Sequence, residues 1–95
     1  MSKNSDVIIT SITAGLDEIL GERLRASLLQ RIELEYGLKV EDIPIQSERF
    51  IDILRSLFGS GGFAMENIIV KHLSTNAGIR KRRLSEMIAE ILGRS

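Results

Sequence analysis

The stretch FIDILRSLF, residues 50–58, decides the fold that the rest of the chain adopts. Its apolar residues recur at steps of three and four, which is the spacing of an α-helix and not of a strand. They cover most of the helix surface, so the sequence predicts that this helix, over residues 48–58, is the central and most buried element. Ser47 is placed to cap its start, and Gly59 follows its end.

Two helices are predicted before this stretch. They cover residues 6–20 and 22–36, and each carries an apolar stripe of period 3.6. The β-branched residues among 7–12 leave a short strand as a local alternative, although the later spacing favours a helix. The stripe of the second helix comprises Leu24, Leu28, Leu29, Ile32 and Tyr36. Residues 39–47 form a connector, in which Pro44 is expected to stop a single helical turn.

Two more helices are predicted after this stretch. The sequence Gly59-Ser60-Gly61-Gly62 breaks the chain, and helices are then expected over residues 63–76 and 80–92. The phenylalanines and Tyr36 fall on or beside apolar stripes, which favours a place in the core over stacking on nucleic-acid bases. The pattern therefore predicts an all-α, compact bundle of about five helices, forming a single helical domain over residues 5–93.

The composition narrows the class of protein. The chain has 95 residues, 43% hydrophobic and 27% charged, which is typical of one ordinary soluble domain and not of a disordered or fibrous chain. It contains no cysteine, which excludes disulfides, thiolate nucleophiles and zinc–thiolate sites and favours a cytoplasmic location. No apolar run approaches the ~20 residues of a membrane span, so no membrane partner is predicted.

The main candidate for a functional site is Arg80-Lys81-Arg82-Arg83, called here the basic run. It is predicted to open the last helix, where four cations would oppose the positive end of the helix dipole. The stability of that helix does not explain the four cations at its start, so we expect them to interact with a group outside it. The net charge is zero, but the basic run and Arg94 make the end of the chain basic against only Glu86 and Glu90.

The basic run supports two interpretations. Residues 70–88 resemble a helix-turn-helix unit, with Gly78 in the turn and the basic run at the start of the helix that would enter the DNA major groove. Long cations would neutralise phosphates there, although no Asn, Gln, Ser or Thr accompanies them to read base edges. In the alternative, the cations close the C-terminus of the fourth helix or face Glu33 and Glu35 of the second.

Other motifs give no prediction of catalysis. The glycine-rich stretch at 59–62 lacks the spacing and the lysine of a P-loop, so a turn between packed helices is favoured over a phosphate site. His72 is the sole histidine and has no cysteine partner for a metal. Glu86 and Glu90 share a face with Arg82 and are expected to form a solvated ion-pair ladder. The sequence therefore predicts no enzyme, no metal and no cofactor.

Part of the chain, from about residue 20 to residue 73, resembles a family of small helical domains of ammonia-oxidising archaea, known as output domains of signalling proteins. The stretches that carry the resemblance are residues 21–29, Glu35-Tyr36-Gly37-Leu38, Glu41-Asp42-Ile43-Pro44, residues 50–54, Leu57-Phe58-Gly59 and residues 68–73. The resemblance implies a stand-alone or fused regulatory module with no catalytic residues to transfer. The basic run is not part of it.

Two function classes follow from these observations. The first is a non-enzymatic regulatory or protein-interaction module, which binds another protein or its own copy through apolar surface left on the outer helices. The second is a helix-turn-helix DNA-binding protein that uses the basic run.

Overall fold

Five α-helices and one 3-10 helix form the fold in a computed structural model, which describes residues 3–93. The helices are α1 (Lys3–Leu20), α2 (Glu22–Tyr36), the 3-10 helix (Val40–Gln46), α3 (Ser47–Phe58), α4 (Gly61–Ala77) and α5 (Leu84–Leu92). No strand occurs within residues 3–93, and the predicted all-α bundle of about five helices is confirmed. Arg94, which the sequence places in the basic end of the chain, lies outside the described residues.

The centre of the bundle is the antiparallel pair α1 and α4, which share the largest helix–helix interface. Gly15 of α1 allows this close approach, because a Cβ atom there would lie 2.9 Å from the Cα atom of Ile69. Farther along the interface, the Asn76 side-chain amide donates a hydrogen bond of 3.0 Å to the Ser11 hydroxyl. That hydroxyl in turn donates to the Val7 carbonyl, so the buried polar group is satisfied.

The prediction that α3 is the most buried element is wrong. Its inward face is buried through Phe50, Ile51, Ile53 and Leu54. Its last turn, however, reaches the end of the bundle, where Leu57 is half-buried and Phe58 is exposed. Helical periodicity defines the apolar face of α3 but does not tell how far the neighbouring helices extend over it.

The connector between α2 and α3 is more helical than the sequence predicts. The 3-10 helix continues through Pro44 to Gln46 and passes directly into α3, so Pro44 does not stop it. Ile43 and Pro44 are both buried, and this burial against the core holds the connector in place. Ser47 is the first residue of α3 and not its cap, and no side chain caps this helix start.

The short helix α5 completes the core with four buried side chains, which are Leu84, Met87, Ile88 and Ile91. A nine-residue helix is shorter than the ~12 residues that an isolated helix needs in water, so α5 depends on docking against the bundle. None of the helices within residues 3–93 combines the length and apolar composition needed to cross a bilayer.

Candidate functional site

An apolar groove lies at the end of the bundle where α1 and α3 finish and α4 begins. Its volume is about 310 Å³. The apolar groove is lined by Ile19, Leu20, Phe58, Gly61, Ala64, Met65 and Ile68. None of them is charged, and both Ile19 and Phe58 present more than a third of their surface to solvent. A neutral concave surface with exposed large apolar side chains is typical of a protein-binding site.

The tight corner between α3 and α4 creates this groove. The helices are joined by Gly59 and Ser60 alone, so the glycine-rich stretch is a two-residue turn and not a long loop. Gly62 then packs directly on α3, because a Cβ atom there would lie 3.0 Å from the Cα atom of Arg55. The chain reverses so sharply that Phe58, in the last turn of α3, lines the groove and is not covered by another helix.

Two aromatic residues predicted for the core are therefore at the surface. Phe58 is 38% exposed and Phe63 is 53% exposed, whereas Phe50 is fully buried as expected. The guanidinium of Arg55 stacks over the Phe63 ring at 4.3 Å from its centroid, which covers one face of the ring. Leu24 is also exposed, against the prediction that it contributes to the inward stripe of α2.

A polar cleft lies between α3, α4 and the start of α5, and it has a volume of about 140 Å³. Glu66 of α4 is the buried carboxylate of this cleft. One of its oxygens lies 3.5 Å from the Arg55 guanidinium, and the other accepts a hydrogen bond of 3.2 Å from the Leu84 backbone N–H. Glu66 thus caps the N-terminus of α5, where a negative charge also complements the helix dipole.

The basic run does not open the last helix, and the sequence-based helix start at Arg80 is wrong. α5 begins at Leu84, and the basic run lies in the preceding linker of residues 78–83. The linker has to bring Leu84 to Glu66, which lies about 16 Å back along α4 from Ala77. The peptide units available reach ~23 Å when fully extended, so most of the linker is stretched and cannot coil into a helix.

This geometry disagrees with the helix-turn-helix interpretation of residues 70–88. Gly78 does adopt the left-handed conformation of a turn glycine, with φ of 67°. The connection is nevertheless six residues long and returns along α4, whereas a helix-turn-helix needs a turn of about three or four residues. The outward face of α5 carries Glu86 in place of the basic run, and this carboxylate would repel phosphates. Binding of DNA by the basic run stays a prediction.

The cations of the basic run point to two sides of the linker. Arg80 and Arg82 line a shallow hollow with Glu90, and Arg82 forms an ion pair with that glutamate. Arg83 lies on the other side and lines the polar cleft. Arg82 therefore pairs with Glu90, one of the two glutamates of the predicted ladder, and not with Glu33 or Glu35 of α2. Within residues 3–93, no ion pair involves Arg80, Lys81 or Arg83.

His72 takes part in a surface cluster that joins α1 to α4. Its Nε2 atom lies 2.9 Å from one carboxylate oxygen of Glu18, and the Lys71 ammonium donates at 3.0 Å to both oxygens. These hydrogen bonds, first from Lys71 and then from His72, hold the pKa of Glu18 below its ordinary value of 4.5. Within the part of the chain that the structure describes, no group of three or more His, Cys, Asp or Glu side chains could hold a metal ion.

Acidification is expected to weaken this cluster. A carboxyl whose folded-state pKa is lowered contributes stability above its unfolded-state value of about 4.5, and that stability is lost as the pH falls through the folded-state value. Replacing Glu18 with glutamine should therefore reduce the fall in the free energy of unfolding between about pH 7 and about pH 3, measured by urea denaturation. An unchanged pH dependence would show that the cluster does not stabilise the fold.

Comparison of the chain with models of protein families, with characterised proteins and with solved structures gives no match. The resemblance to an archaeal family of output domains therefore stays a prediction.

Proposed function

We propose that this protein is a non-enzymatic interaction module whose apolar groove binds the apolar face of an amphipathic helix from another protein. The observation that carries this proposal is the neutral, concave lining of the groove, with Ile19 and Phe58 left exposed at the end of an otherwise well-packed bundle. Covering such a surface removes apolar area from water, which is favourable by about 25 cal/mol for each Å². A role in regulation would follow from reversible binding of this kind.

A partner helix from another chain fits the groove better than a second copy does. Among the described residues, the large exposed apolar side chains outside the groove are Leu24 and Leu34 of α2, Ile45 of the 3-10 helix and Phe63 of α4. None of them is three or four residues from another, so together they make no ridge that could enter the groove of a second molecule. The absence of cysteine from all 95 residues further supports a cytoplasmic location for this protein and its proposed partner.

The test is selection from a library of random peptides of about 16 residues, long enough to form a helix on binding. Peptides that bind should carry apolar residues at helical steps of three and four. Replacing Ala64 with lysine puts a charge into the groove at an exposed position and should weaken their binding by at least about tenfold. The matched control is Ala89→Lys, the same change at an exposed position of α5, which should leave the affinity unchanged.

Salt provides a second criterion, because the groove is lined by uncharged residues. The affinity of the selected peptides should change little between about 50 mM and about 500 mM salt. Failure to enrich any peptide, or equal binding to the Ala64→Lys variant, would contradict the proposal. A dimer of the chain itself that Ala64→Lys dissociates would contradict the assignment to a helix of another protein.

A further inference from the structure

The linker between α4 and α5 is a second surface with a different chemistry from the apolar groove. Its ends are fixed inside the bundle. At one end, the buried Ile79 exchanges hydrogen bonds with Ser74, whose backbone carbonyl accepts at 3.2 Å from the Ile79 N–H. At the other end, Leu84 is fully buried and its N–H is held by Glu66. The basic run is therefore held at both ends, and Arg83 has the backbone angles of an extended chain, with φ of −60° and ψ of 141°.

The basic run has exposed side chains and, at two of its residues, unpaired backbone groups. Arg80, Lys81, Arg82 and Arg83 are all exposed. The N–H and C=O groups of Arg80 and Lys81 make no backbone hydrogen bond with any described residue. An extended segment with unpaired backbone groups can receive another extended chain, as the edge of a sheet does.

From these observations we infer that the basic run binds an extended acidic peptide segment of a partner protein, which pairs with the backbone of the linker and places its carboxylates on the exposed cations. Alternate residues of an extended chain point to the same side, so acids at every second position would meet either Arg80, next to the ion-paired Arg82, or Lys81 and Arg83 on the other side. Charge-assisted hydrogen bonds from arginine to carboxylate would supply much of the affinity. Because the linker is held at both ends, binding would order little of this protein.

The surroundings of the basic run favour a peptide over nucleic acid. Carboxylates flank the linker on both sides, with Glu86 on α5 and Glu48 and Asp52 on α3. Glu48 and Asp52 line the same polar cleft as Arg83. A nucleic acid carries a phosphate at every nucleotide and would bring some of them against these carboxylates. A short peptide can confine its acids to the linker, and its backbone can also use the open hydrogen-bonding groups.

The probe for this inference is a fluorescent peptide of about eight residues that alternates glutamate and threonine, measured by anisotropy at low salt. The double substitution Arg80→Ala and Lys81→Ala should weaken its binding by at least about tenfold. The matched control removes two exposed cations elsewhere, Arg23 and Lys39, by the same change to alanine and should leave binding within about twofold. N-methylation of alternate peptide nitrogens should also weaken binding, because it removes backbone donors but no charge.

Loss of binding in the Arg80 and Lys81 variant, together with loss on N-methylation, would support binding of an acidic peptide by the basic run. No binding of the peptide, or binding that survives the double substitution, would overturn it. Tighter binding of a mixed-sequence DNA duplex than of the peptide, with a steep fall as salt rises, would overturn it in favour of nucleic acid. The inference does not depend on the apolar groove, since Ala64→Lys should leave binding of this peptide unchanged.

Discussion

Replacing Gly15 with alanine is expected to lower the free energy of unfolding by about 3 kcal/mol, although the change adds a single methyl group. The new Cβ atom would lie 2.8 Å from the Ile69 side chain and 2.9 Å from the Ile69 Cα atom. The first contact could be relieved by a change of rotamer, but the second involves backbone. α1 and α4 would therefore have to move apart along the largest interface of the bundle.

The control for this prediction is Gly61→Ala in the first turn of α4. There the nearest atom to an added Cβ would be the Phe58 Cβ at 3.5 Å, which is an ordinary contact distance. Alanine has the higher helix propensity, so this variant should be neutral or slightly stabilising, by up to about 1 kcal/mol. Urea denaturation monitored by far-ultraviolet circular dichroism would measure both variants. Equal stabilities of the Gly15 and Gly61 variants would show that α1 and α4 can separate at little cost.

The sequence predicts the helices of this fold well, because hydrophobic periodicity is a local property. The predicted bounds of α2 agree with the structure at both ends, and those of α1, α3 and α4 differ by no more than three residues. Gly15 illustrates what periodicity leaves out. It lies inside the first predicted helix, and no local feature shows that another helix backbone passes against it.

The exception is the start of α5, where tertiary structure overrides local preference. Arginine and lysine are good helix formers, so the sequence predicts that the last helix begins with the basic run. In the structure, the need to bring Leu84 back to Glu66 stretches the linker instead. A distance between two elements determined the conformation of this segment, and single-sequence patterns contain no such distance.

The candidate sites depend on long-range packing to a similar degree. The apolar residues of the groove can be recognised from the sequence, but their exposure follows from the sharp corner between α3 and α4. The sequence identifies the cations of the basic run but gives no indication of their extended backbone. No sequence pattern predicts the role of Glu66, since an acidic residue in the second turn of a helix is ordinarily a surface residue.

Glu66 joins the start of α5 to α3 through its contacts with the Leu84 N–H and with Arg55. Replacing it with alanine should lower the free energy of unfolding by about 2–3 kcal/mol, because the change removes a charge-assisted hydrogen bond to the Leu84 N–H and leaves Arg55 without its ion-pair partner. Glu66→Gln keeps a hydrogen-bond acceptor for Leu84 and should cost less, about 1 kcal/mol. The control is Glu48→Ala, an exposed glutamate of the same polar cleft, for which a change within about 0.5 kcal/mol is expected.

The loss in the Glu66→Ala variant should be concentrated in one part of the molecule. α5 is too short to be stable alone, and Glu66 is the side chain that holds its first backbone N–H. Amide hydrogen exchange should therefore accelerate in α5 by at least about tenfold relative to the α1–α4 pair. Uniform acceleration across all helices would contradict this assignment and would place the contribution of Glu66 in the stability of the whole bundle.

The same variant distinguishes the shape of the linker from its charge. Glu66→Ala leaves every cation of the basic run in place, but it releases the end of the linker that Leu84 fixes. If the acidic peptide recognises an ordered extended backbone, its affinity should be at least about threefold lower in this variant than in Glu48→Ala, which removes a carboxylate of the same polar cleft but keeps Leu84 fixed. Equal affinities of the two variants would mean that charge alone attracts the peptide, in which case N-methylation of the peptide should have no effect either.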